Sequence, residues 1–278
     1  MSTQATTVAS PKGERIEHGV CWNELHTRDE AGAARFYPAV VGWKAHACPS
    51  VPGGMKYTEW VRRDGAHIGG MAAMPAGVPK EVPANWMIYI NVPDVDACCA
   101  KATSLGGRVI KSGFDVPNVG RLAVIADPTG AVFSVIKGVG DCGKRVPQDA
   151  TGSFCWEELL TSDPAAVRRF YGSLFGWKTS VMSFPDFEYT LFWLKDGDPE
   201  KKQGCIGGMM KIKAEWGNVP PNWLTYIAVD DVDATAAKAT KEGGTLCAPP
   251  MDIPNVGRFA IVTDPGGATF ALFKSQHG

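Results

Sequence analysis

The chain lacks a strong excess of charge of either sign. Its 278 residues carry a net charge of −1, and neither basic nor acidic residues form a long run. Nucleic acid and acidic membrane surfaces are therefore not expected partners, because both are bound through clustered basic residues. No apolar run approaches the roughly 20 residues that span a bilayer. The polar first residues lack the apolar core of a signal peptide, so we expect a cytoplasmic protein with no membrane partner.

The sequence also lacks cysteine motifs typical of metal sites or disulfides, and it lacks a phosphate-binding glycine motif. The 8 cysteines form no CxxC pair, and the adjacent Cys98 and Cys99 suit neither a zinc site nor a disulfide. We expect reduced, buried thiols, with Cys21 and Cys155 facing the helix side of their strands. The glycines of "GGM" at 69–71 stand in no GxGxxG context, which excludes a nucleotide loop of that type.

The sequence instead contains a long internal repeat. "VPNVGRLAVIADPTGAVF" (Val116–Phe133) returns as "IPNVGRFAIVTDPGGATF" (Ile253–Phe270), and Cys21–Trp43 returns as Cys155–Trp177 in the same order. Such a tandem duplication predicts two halves, each long enough to bury a core. The expected divisions are a disordered lead at 1–17, a first domain at 18–138, a linker at 139–151 and a second domain at 152–278.

Each half repeats a shorter pattern of one strand, one helix and further strands. In the first half, Asp29 and Asp94 are expected helix N-caps, and Gly42 and Gly106 are expected helix ends. Alternating apolar residues predict strands at 20–27, 56–62, 67–74, 87–92, 121–126 and 131–136. The order restarts at residue 87, so the whole chain contains four such units and should adopt an α+β fold.

Three pairs of motifs carry a resemblance to a known family: "RFYPAVVGW" and "RFYGSLFGW", "VPDVDA" and "VDDVDA", and "ADPTGAVF" and "TDPGGATF". With them the chain resembles the vicinal oxygen chelate (VOC) superfamily of glyoxalase I, fosfomycin and bleomycin resistance proteins and extradiol dioxygenases. It is most similar to the tandem two-domain "glyoxalase-like" subgroup. The resemblance implies four βαβββ units in two tandem domains, with mixed sheets curled around a cavity. Whether the sheets form within or between the halves is left open.

In the metal-using members of this superfamily, His, Gln or Glu side chains hold a divalent ion in the cavity. Counted onto this chain, the four positions in each half hold Trp22, Gly69–Met71, Met87 and Ser134, and then Trp156, Gly207–Met209, Leu224 and Ala271. Divalent ions need imidazole, carboxylate or thiolate ligands. We therefore expect no metal and no cofactor, which puts the metal-dependent activities of the superfamily in doubt.

Strand alternation predicts what faces the cavity instead. Because Leu25 suits helix packing, Trp22, Glu24 and His26 should face the other way. The same count places Trp156, Glu158, Tyr89 and Tyr226 on the cavity side. The predicted ligand-binding residues are Trp22, His26, Tyr89, Trp156 and Tyr226, and the candidate catalytic residues are Glu24 and Glu158. The alternative is that these aromatic side chains fill a collapsed barrel.

The partners of the two carboxyl groups remain open at this point. Arg121 and Arg258 either pair with Glu24 and Glu158 or stabilise their own loops through Asp115 and Asp252. His26 and His67 occur only in the first half. With Glu24 they could form a displaced metal site or an acid–base pair, and the alternative is that they are structural.

These observations support functions of different classes. The first is a metal-independent protein that binds a small, largely apolar or aromatic molecule in a barrel cavity, as sequestering resistance proteins do. The second is a glyoxalase-like lyase or isomerase that uses a cavity Glu and Tyr as acid and base. A metal-dependent enzyme with displaced ligands and a scaffold with vestigial cavities are further alternatives. We expect a small-molecule partner and a monomer or homodimer.

Overall fold

The computed structural model describes residues 15–48, 56–144, 150–184, 186–201 and 203–276. Residues 1–14 of the predicted disordered lead and 145–149 of the predicted linker lie outside the described residues. Within the described segments, none of the helices combines the length and the apolar character needed to cross a membrane.

The structure contains four βαβββ units, two in each half. The first half is built from β1 (Val20–Thr27), α1 (Glu30–Val41), β2 (Lys44–Cys48), β3 (Tyr57–Val61), β4 (His67–Ala73), β5 (Asn85–Asn91), α2 (Val95–Ser104), β6 (Arg108–Val116), β7 (Gly120–Ala126) and β8 (Val132–Gly138). The second half is built from β9 (Phe154–Thr161), α3 (Pro164–Phe175), β10 (Lys178–Ser183), β11 (Glu188–Asp198), β12 (Gln203–Lys211), β13 (Asn222–Ala228), α4 (Val232–Lys241), β14 (Thr245–Ile253), β15 (Gly257–Thr263) and β16 (Thr269–Ser275). A short 3₁₀ helix covers Ala214–Trp216. The expected α+β fold is confirmed.

Each half forms one mixed, eight-stranded sheet, which answers the question of pairing. The strand order is β2-β3-β4-β1-β5-β8-β7-β6 in the first half and β10-β11-β12-β9-β13-β16-β15-β14 in the second. The two units of a half join through the antiparallel pairs β1–β5 and β9–β13. The pairs β1–β4 and β5–β8 are parallel. Each sheet therefore belongs to one half.

The helix caps follow the sequence prediction. The Asp29 side chain accepts a hydrogen bond from the Gly32 amide at 2.8 Å, and the Asp94 side chain accepts one from the Ala97 amide at 2.9 Å. The helix α1 ends before Gly42, which adopts the left-handed conformation with φ of 77°. An Asp N-cap satisfies an otherwise unpaired helix amide, and glycine adopts positive φ without a steric penalty.

Each helix packs on the sheet of its own half and also contacts a helix of the other half. The buried core around α1 contains Phe36 and Tyr37 together with Ala236 of α4 and Phe270 of β16. The equivalent core joins α2 and β8 with α3 and contains Phe133 together with Phe170, Tyr171 and Phe175. The two sheets therefore share their cores, with the helices α1 and α4 on one side and α2 and α3 on the other.

The repeated motifs supply hydrogen bonds across this interface. The hydroxyl of Tyr37, from "RFY" of the first half, donates to Asp264 of the second half at 3.0 Å. Symmetrically, the hydroxyl of Tyr171 donates to Asp127 at 3.2 Å. The same duplicated residues therefore join the halves twice, which gives a structural reason for their close similarity.

The two faces of each sheet differ. The helix face carries the shared cores, with Leu25 among its buried residues. The opposite face, here called the inner face, carries a smaller apolar cluster, which contains Met87 and Tyr89 in the first half and Leu224 and Tyr226 in the second.

The predicted direction of Cys21 and Cys155 is wrong. Cys21 lies in the cluster of the inner face, and the Cys21 Sγ donates to the Tyr89 carbonyl at 3.3 Å. Cys155 packs against the equivalent cluster of the second half. The ladder between β1 and β5 shifts register between Val20 and Trp22. Such a bulge redirects a side chain that strict alternation would place on the helix face.

Candidate functional site

A buried carboxylate lies at the centre of the first inner face. Glu24 is only 9% exposed, and its Oε1 accepts hydrogen bonds from His26 Nε2 at 2.7 Å and from the Tyr89 hydroxyl at 2.7 Å. The Tyr57 hydroxyl of β3 donates to the same carboxylate and accepts from Trp22 Nε1 at 2.9 Å. These five side chains form one hydrogen-bonded group, here called the first network.

Strand register places these residues together. Trp22 lies opposite Tyr89, and Glu24 lies opposite both Met87 of β5 and Gly70 of β4. Successive side chains of a strand point to opposite faces, so Trp22, Glu24 and residue 26 share the inner face.

The glycine at position 70 makes room for a hydroxyl group. A Cβ atom at Gly70 would overlap the Tyr57 hydroxyl oxygen, and a Cβ atom at Gly208 would overlap the Tyr189 hydroxyl oxygen. Only a residue without a side chain lets these tyrosines cross β4 and β12 to reach the carboxylates on β1 and β9.

The hydrogen-bond donors stabilise Glu24 as an anion. Burial alone raises a carboxyl pKa, because the charged form loses its water. In Glu24 this effect is outweighed by the hydrogen bond and charge of His26 and by the hydroxyls of Tyr89 and Tyr57, so the pKa of Glu24 lies below its ordinary value. Burial, and then the charge of Glu24, raise the pKa values of Tyr57 and Tyr89 well above their usual range. Both hydroxyls therefore keep their protons and act as donors.

The second half repeats the arrangement with one residue changed. Trp156 Nε1 donates to the Tyr189 hydroxyl at 2.9 Å, which donates to Glu158 Oε2 at 2.8 Å. The Tyr226 hydroxyl also donates to this carboxyl group. These four residues form the second network, in which Leu160 occupies the place of the first-half histidine.

The pKa values of the two carboxyl groups consequently shift in opposite directions from the ordinary value of glutamate. Glu158 is 7% exposed. Burial raises the pKa of Glu158, and the hydrogen bonds from Tyr189 and Tyr226 offset only part of this effect. The imidazole of His26 lowers the pKa of Glu24, and Leu160 provides no such group, so this exchange is the main difference between the networks.

A second carboxylate–imidazole pair lies on the first inner face. Glu59 Oε2 accepts from His67 Nδ1 at 2.6 Å, and the His46 ring stands edge-on to the His67 ring at 5.9 Å. Burial, and then the charge of Glu59, raise the pKa of the Cys48 thiol to about 11. The structure therefore gives His67 its own carboxylate partner and does not place it in a single group with His26 and Glu24.

The superfamily's metal positions do not fit an ion in this chain. Trp22 donates its Nε1 to Tyr57, the Tyr57 hydroxyl fills the space beside Gly70, and Met87 packs into the apolar cluster. Ser134 hydrogen-bonds the Tyr89 hydroxyl. Among the described residues, no group of three or more His, Cys, Asp or Glu side chains is placed to hold a metal ion.

The arginines that could have paired with the carboxylates stabilise their own loops. Arg121 bonds Asp96 at 2.8 Å and Asp115 at 2.9 Å. Arg258 bonds Asp233 at 2.6 Å and pairs with Asp252 at 3.0 Å. The second of the two interpretations of these arginines is confirmed.

Sequence reasoning missed two tyrosines. Tyr57 and Tyr189 complete the networks, and neither was among the predicted site residues. A signal was present, because "YTEWVRRDG" and "YTLFWLKDG" begin with them at equivalent positions of the repeat. The structure does bring Trp22, Glu24, His26 and Tyr89 together, and it does the same for Trp156, Glu158 and Tyr226 in the second half. Their roles in binding or catalysis stay a prediction.

The paired βαβββ units and their inner-face sites define a class of protein. The chain belongs to the glyoxalase/bleomycin resistance protein/dioxygenase superfamily, the VOC superfamily of the sequence resemblance. A glyoxalase-like domain matches residues 20–136, and the superfamily domain matches residues 154–272.

Similar proteins cover almost the whole chain. "Putative glyoxylase CFP32" of Mycobacterium tuberculosis is 39% identical over 266 residues, which span 95% of this chain and 98% of that protein. "Anthracycline biosynthesis protein DnrV" of Streptomyces peucetius is 32% identical over 269 residues, covering 92% of this chain and 93% of that one.

Solved structures with the same fold are more distant in sequence. The Mn(II)-bound glyoxalase of Novosphingobium aromaticivorans has a TM-score of 0.60 at 16% identity, covering 92% of this chain and 82% of that one. The 2,3-dioxygenase LapB of Pseudomonas sp. KL28 has a TM-score of 0.60 at 12% identity, with 93% of each chain covered. At this level of identity the likeness shows the fold alone.

Proposed function

We propose that this protein binds a small, largely apolar or aromatic molecule on the inner faces of its sheets, without a metal ion held by the protein. The observation that carries this proposal is the paired network. In each half, a half-buried Trp, a half-buried Tyr and a buried Tyr surround one buried carboxyl group. Such a site offers aromatic faces for stacking and one polar group for orientation, as small-molecule sites commonly do.

The side chains at the counted metal-ligand positions support the metal-independent part of the proposal. The counted ligand positions hold an indole, a glycine, a thioether and a hydroxyl in the first half. The second half has an alkyl chain in place of the thioether and of the hydroxyl, at Leu224 and Ala271. These groups bind divalent ions poorly. Metal analysis of the purified protein should find no stoichiometric transition metal, and a tightly bound ion would contradict this part.

The name of one similar protein agrees with an aromatic ligand. One relative is named for anthracycline biosynthesis, and anthracyclines are polycyclic aromatic molecules. The other is named as a glyoxylase, which leads to the second candidate function.

The second candidate is a lyase or isomerase of the glyoxalase type that uses the first network. The observation that favours it is the contact of 2.7 Å between His26 Nε2 and Glu24 Oε1, which the second half lacks. In this reaction class Glu24 would accept a proton from the substrate, and the Tyr89 hydroxyl, which keeps its proton, would donate one to a substrate oxygen.

One ligand screen with three variants separates these functions. Thermal shift with hydrophobic metabolites, aromatic drugs and α-ketoaldehydes should identify a binder, because ligand at 100 times its Kd stabilises by about 2.7 kcal/mol. Glu24→Gln and Glu158→Gln should weaken binding if the protein sequesters its ligand. If it is an enzyme, Glu24→Gln should abolish turnover of the α-ketoaldehyde.

Lys241→Gln is the matched control, because Lys241 is exposed at the end of α4, on the helix side. This variant should behave as the wild type in binding and turnover. If no compound stabilises the wild-type protein and no α-ketoaldehyde is converted, both functions are wrong.

A further inference from the structure

The two inner faces have different chemistry at equivalent positions. Glu59 lies opposite Gly70, and Leu191 lies opposite Gly208, so the two residues occupy the same place in their sheets. At four positions of the inner face, a histidine or glutamate of the first half is replaced by an uncharged residue in the second half. His26, His46, Glu59 and His67 of the first half correspond to Leu160, Ser180, Leu191 and Cys205 of the second.

The second inner face also carries larger apolar side chains. At three positions the second half has an aromatic ring or a longer side chain than the first half. Ala72, Leu122 and Ile136 of the first half correspond to Met210, Phe259 and Phe273 of the second. The half-buried side chains of this face are Trp156, Tyr189, Leu191, Met210, Phe259, Ile261 and Phe273. The result is a largely apolar surface around Glu158.

We propose that the second half is a separate site for a neutral aromatic molecule whose carbonyl oxygen binds the Glu158 carboxyl group, and that the first half takes a more polar ligand. This inference rests on the proposed function and assigns a ligand class to each half. Glu158 receives its hydrogen bonds from two tyrosine hydroxyls, and no imidazole or guanidinium reaches it among the described contacts. Burial in these surroundings raises the pKa of Glu158, and a carboxyl group that carries its proton can donate to a carbonyl oxygen.

The first inner face is a poor site for the same molecule. Its Glu24 carboxylate already accepts from His26, Tyr57 and Tyr89 and has no proton to offer. The Glu59–His67 pair is partly exposed, with 28% and 21% of the side chains accessible. Covering this pair with a neutral aromatic ring would remove its water without a compensating hydrogen bond, which is unfavourable.

The test uses 2-acetylnaphthalene, a neutral aryl ketone, with the full-length protein in isothermal titration calorimetry. We expect one molecule bound per chain. Leu191→Glu, which introduces the first-half residue, should weaken binding by about tenfold or more, because the ligand would bury a new charge. The reciprocal control Glu59→Leu should change the affinity by less than about twofold, because the halves bind independently. The matched probe 2-ethylnaphthalene, which lacks the carbonyl oxygen, should bind about three- to tenfold more weakly.

A second variant protects the test against a folding defect. If Leu191→Glu lowers the melting temperature strongly, Leu160→His replaces it, since histidine already occupies the equivalent position of the first half. Equal affinity for both probes, two equivalent sites per chain, or a loss of binding in Glu59→Leu but not in the second-half variants would overturn the inference and leave the proposed function intact. Failure of the proposed function would look different, since neither probe nor any compound of the screen would then bind.

Discussion

Replacing Glu24 by Gln should destabilise the protein far more than the same replacement of Glu158. Glu24→Gln removes a carboxylate that accepts from His26, Tyr57 and Tyr89. Hydrogen bonds to a charged group contribute about 1.5–3 kcal/mol each, and the Gln carbonyl oxygen keeps part of them, so the net loss should be about 2–4 kcal/mol. A chain of this size loses about 2 °C of melting temperature per kcal/mol, which gives a decrease of about 4–8 °C.

Glu158→Gln has two opposing effects. It weakens the hydrogen bonds from Tyr189 and Tyr226, and it removes the free-energy cost of ionising a buried carboxyl group that has no imidazole partner. The expected change is within about 1 kcal/mol of zero at pH 7.

The pH dependence of the two variants should differ in sign. The pKa of Glu24 is lowered in the folded protein, so its stabilisation is present above the pKa of free glutamate and is lost as the pH falls through the lowered value. The pKa of Glu158 is raised, so its ionisation reduces stability above the raised value and has no effect below the pKa of free glutamate. On acidification, the deficit of Glu24→Gln should shrink, and any gain of Glu158→Gln should disappear.

Urea unfolding of the wild type and both variants from pH 8 down to about pH 3 measures these differences, because the Glu24 contribution is lost only below the pKa of free glutamate. Lys241→Gln, exposed on α4, serves as the control and should follow the wild type at every pH. If the two Gln variants lose the same free energy of unfolding at pH 7, with the same pH dependence, then His26 does not set the difference between the two carboxyl groups.

The sequence is most informative where short-range rules act. The strand period alone placed Trp22 and Glu24 on one face, and an aspartate before each helix predicted the caps at Asp29 and Asp94. The edge strands β2 and β6 were missed because both of their faces are largely exposed, which leaves no alternation to recognise. The bulge at Cys21 was missed because it depends on pairing with β5.

Long-range contacts explain the remaining omissions. Tyr57 reaches Glu24 only because β3 pairs with β4 in the register that puts Glu59 opposite Gly70. The partner of His67 depends on the same pairing. A duplicated sequence also does not reveal which copy of a helix packs on which copy of a sheet, since both copies carry the same apolar pattern. The contact of Tyr37 with Asp264 across the halves therefore needed the structure.

Three further expectations concern packing and the union of the halves. Gly70→Ala should lower the free energy of unfolding by about 1–3 kcal/mol, because the added methyl group displaces the Tyr57 hydroxyl. Adding Tyr57→Phe should restore part of this loss in urea unfolding. If the effects of the two substitutions are fully additive, the overlap between position 70 and the hydroxyl does not exist. Tyr37→Phe should cost about 1–3 kcal/mol in the same assay, because it removes the hydrogen bond to the buried Asp264, and a neutral result would deny that this bond stabilises the union of the halves. Finally, since each buried core contains side chains from both halves, neither half can lose its structure without exposing the core of the other. Unfolding followed by near-ultraviolet circular dichroism and by tryptophan fluorescence should therefore show a single coincident transition, and two separated transitions would mean that each half is stable without the shared cores.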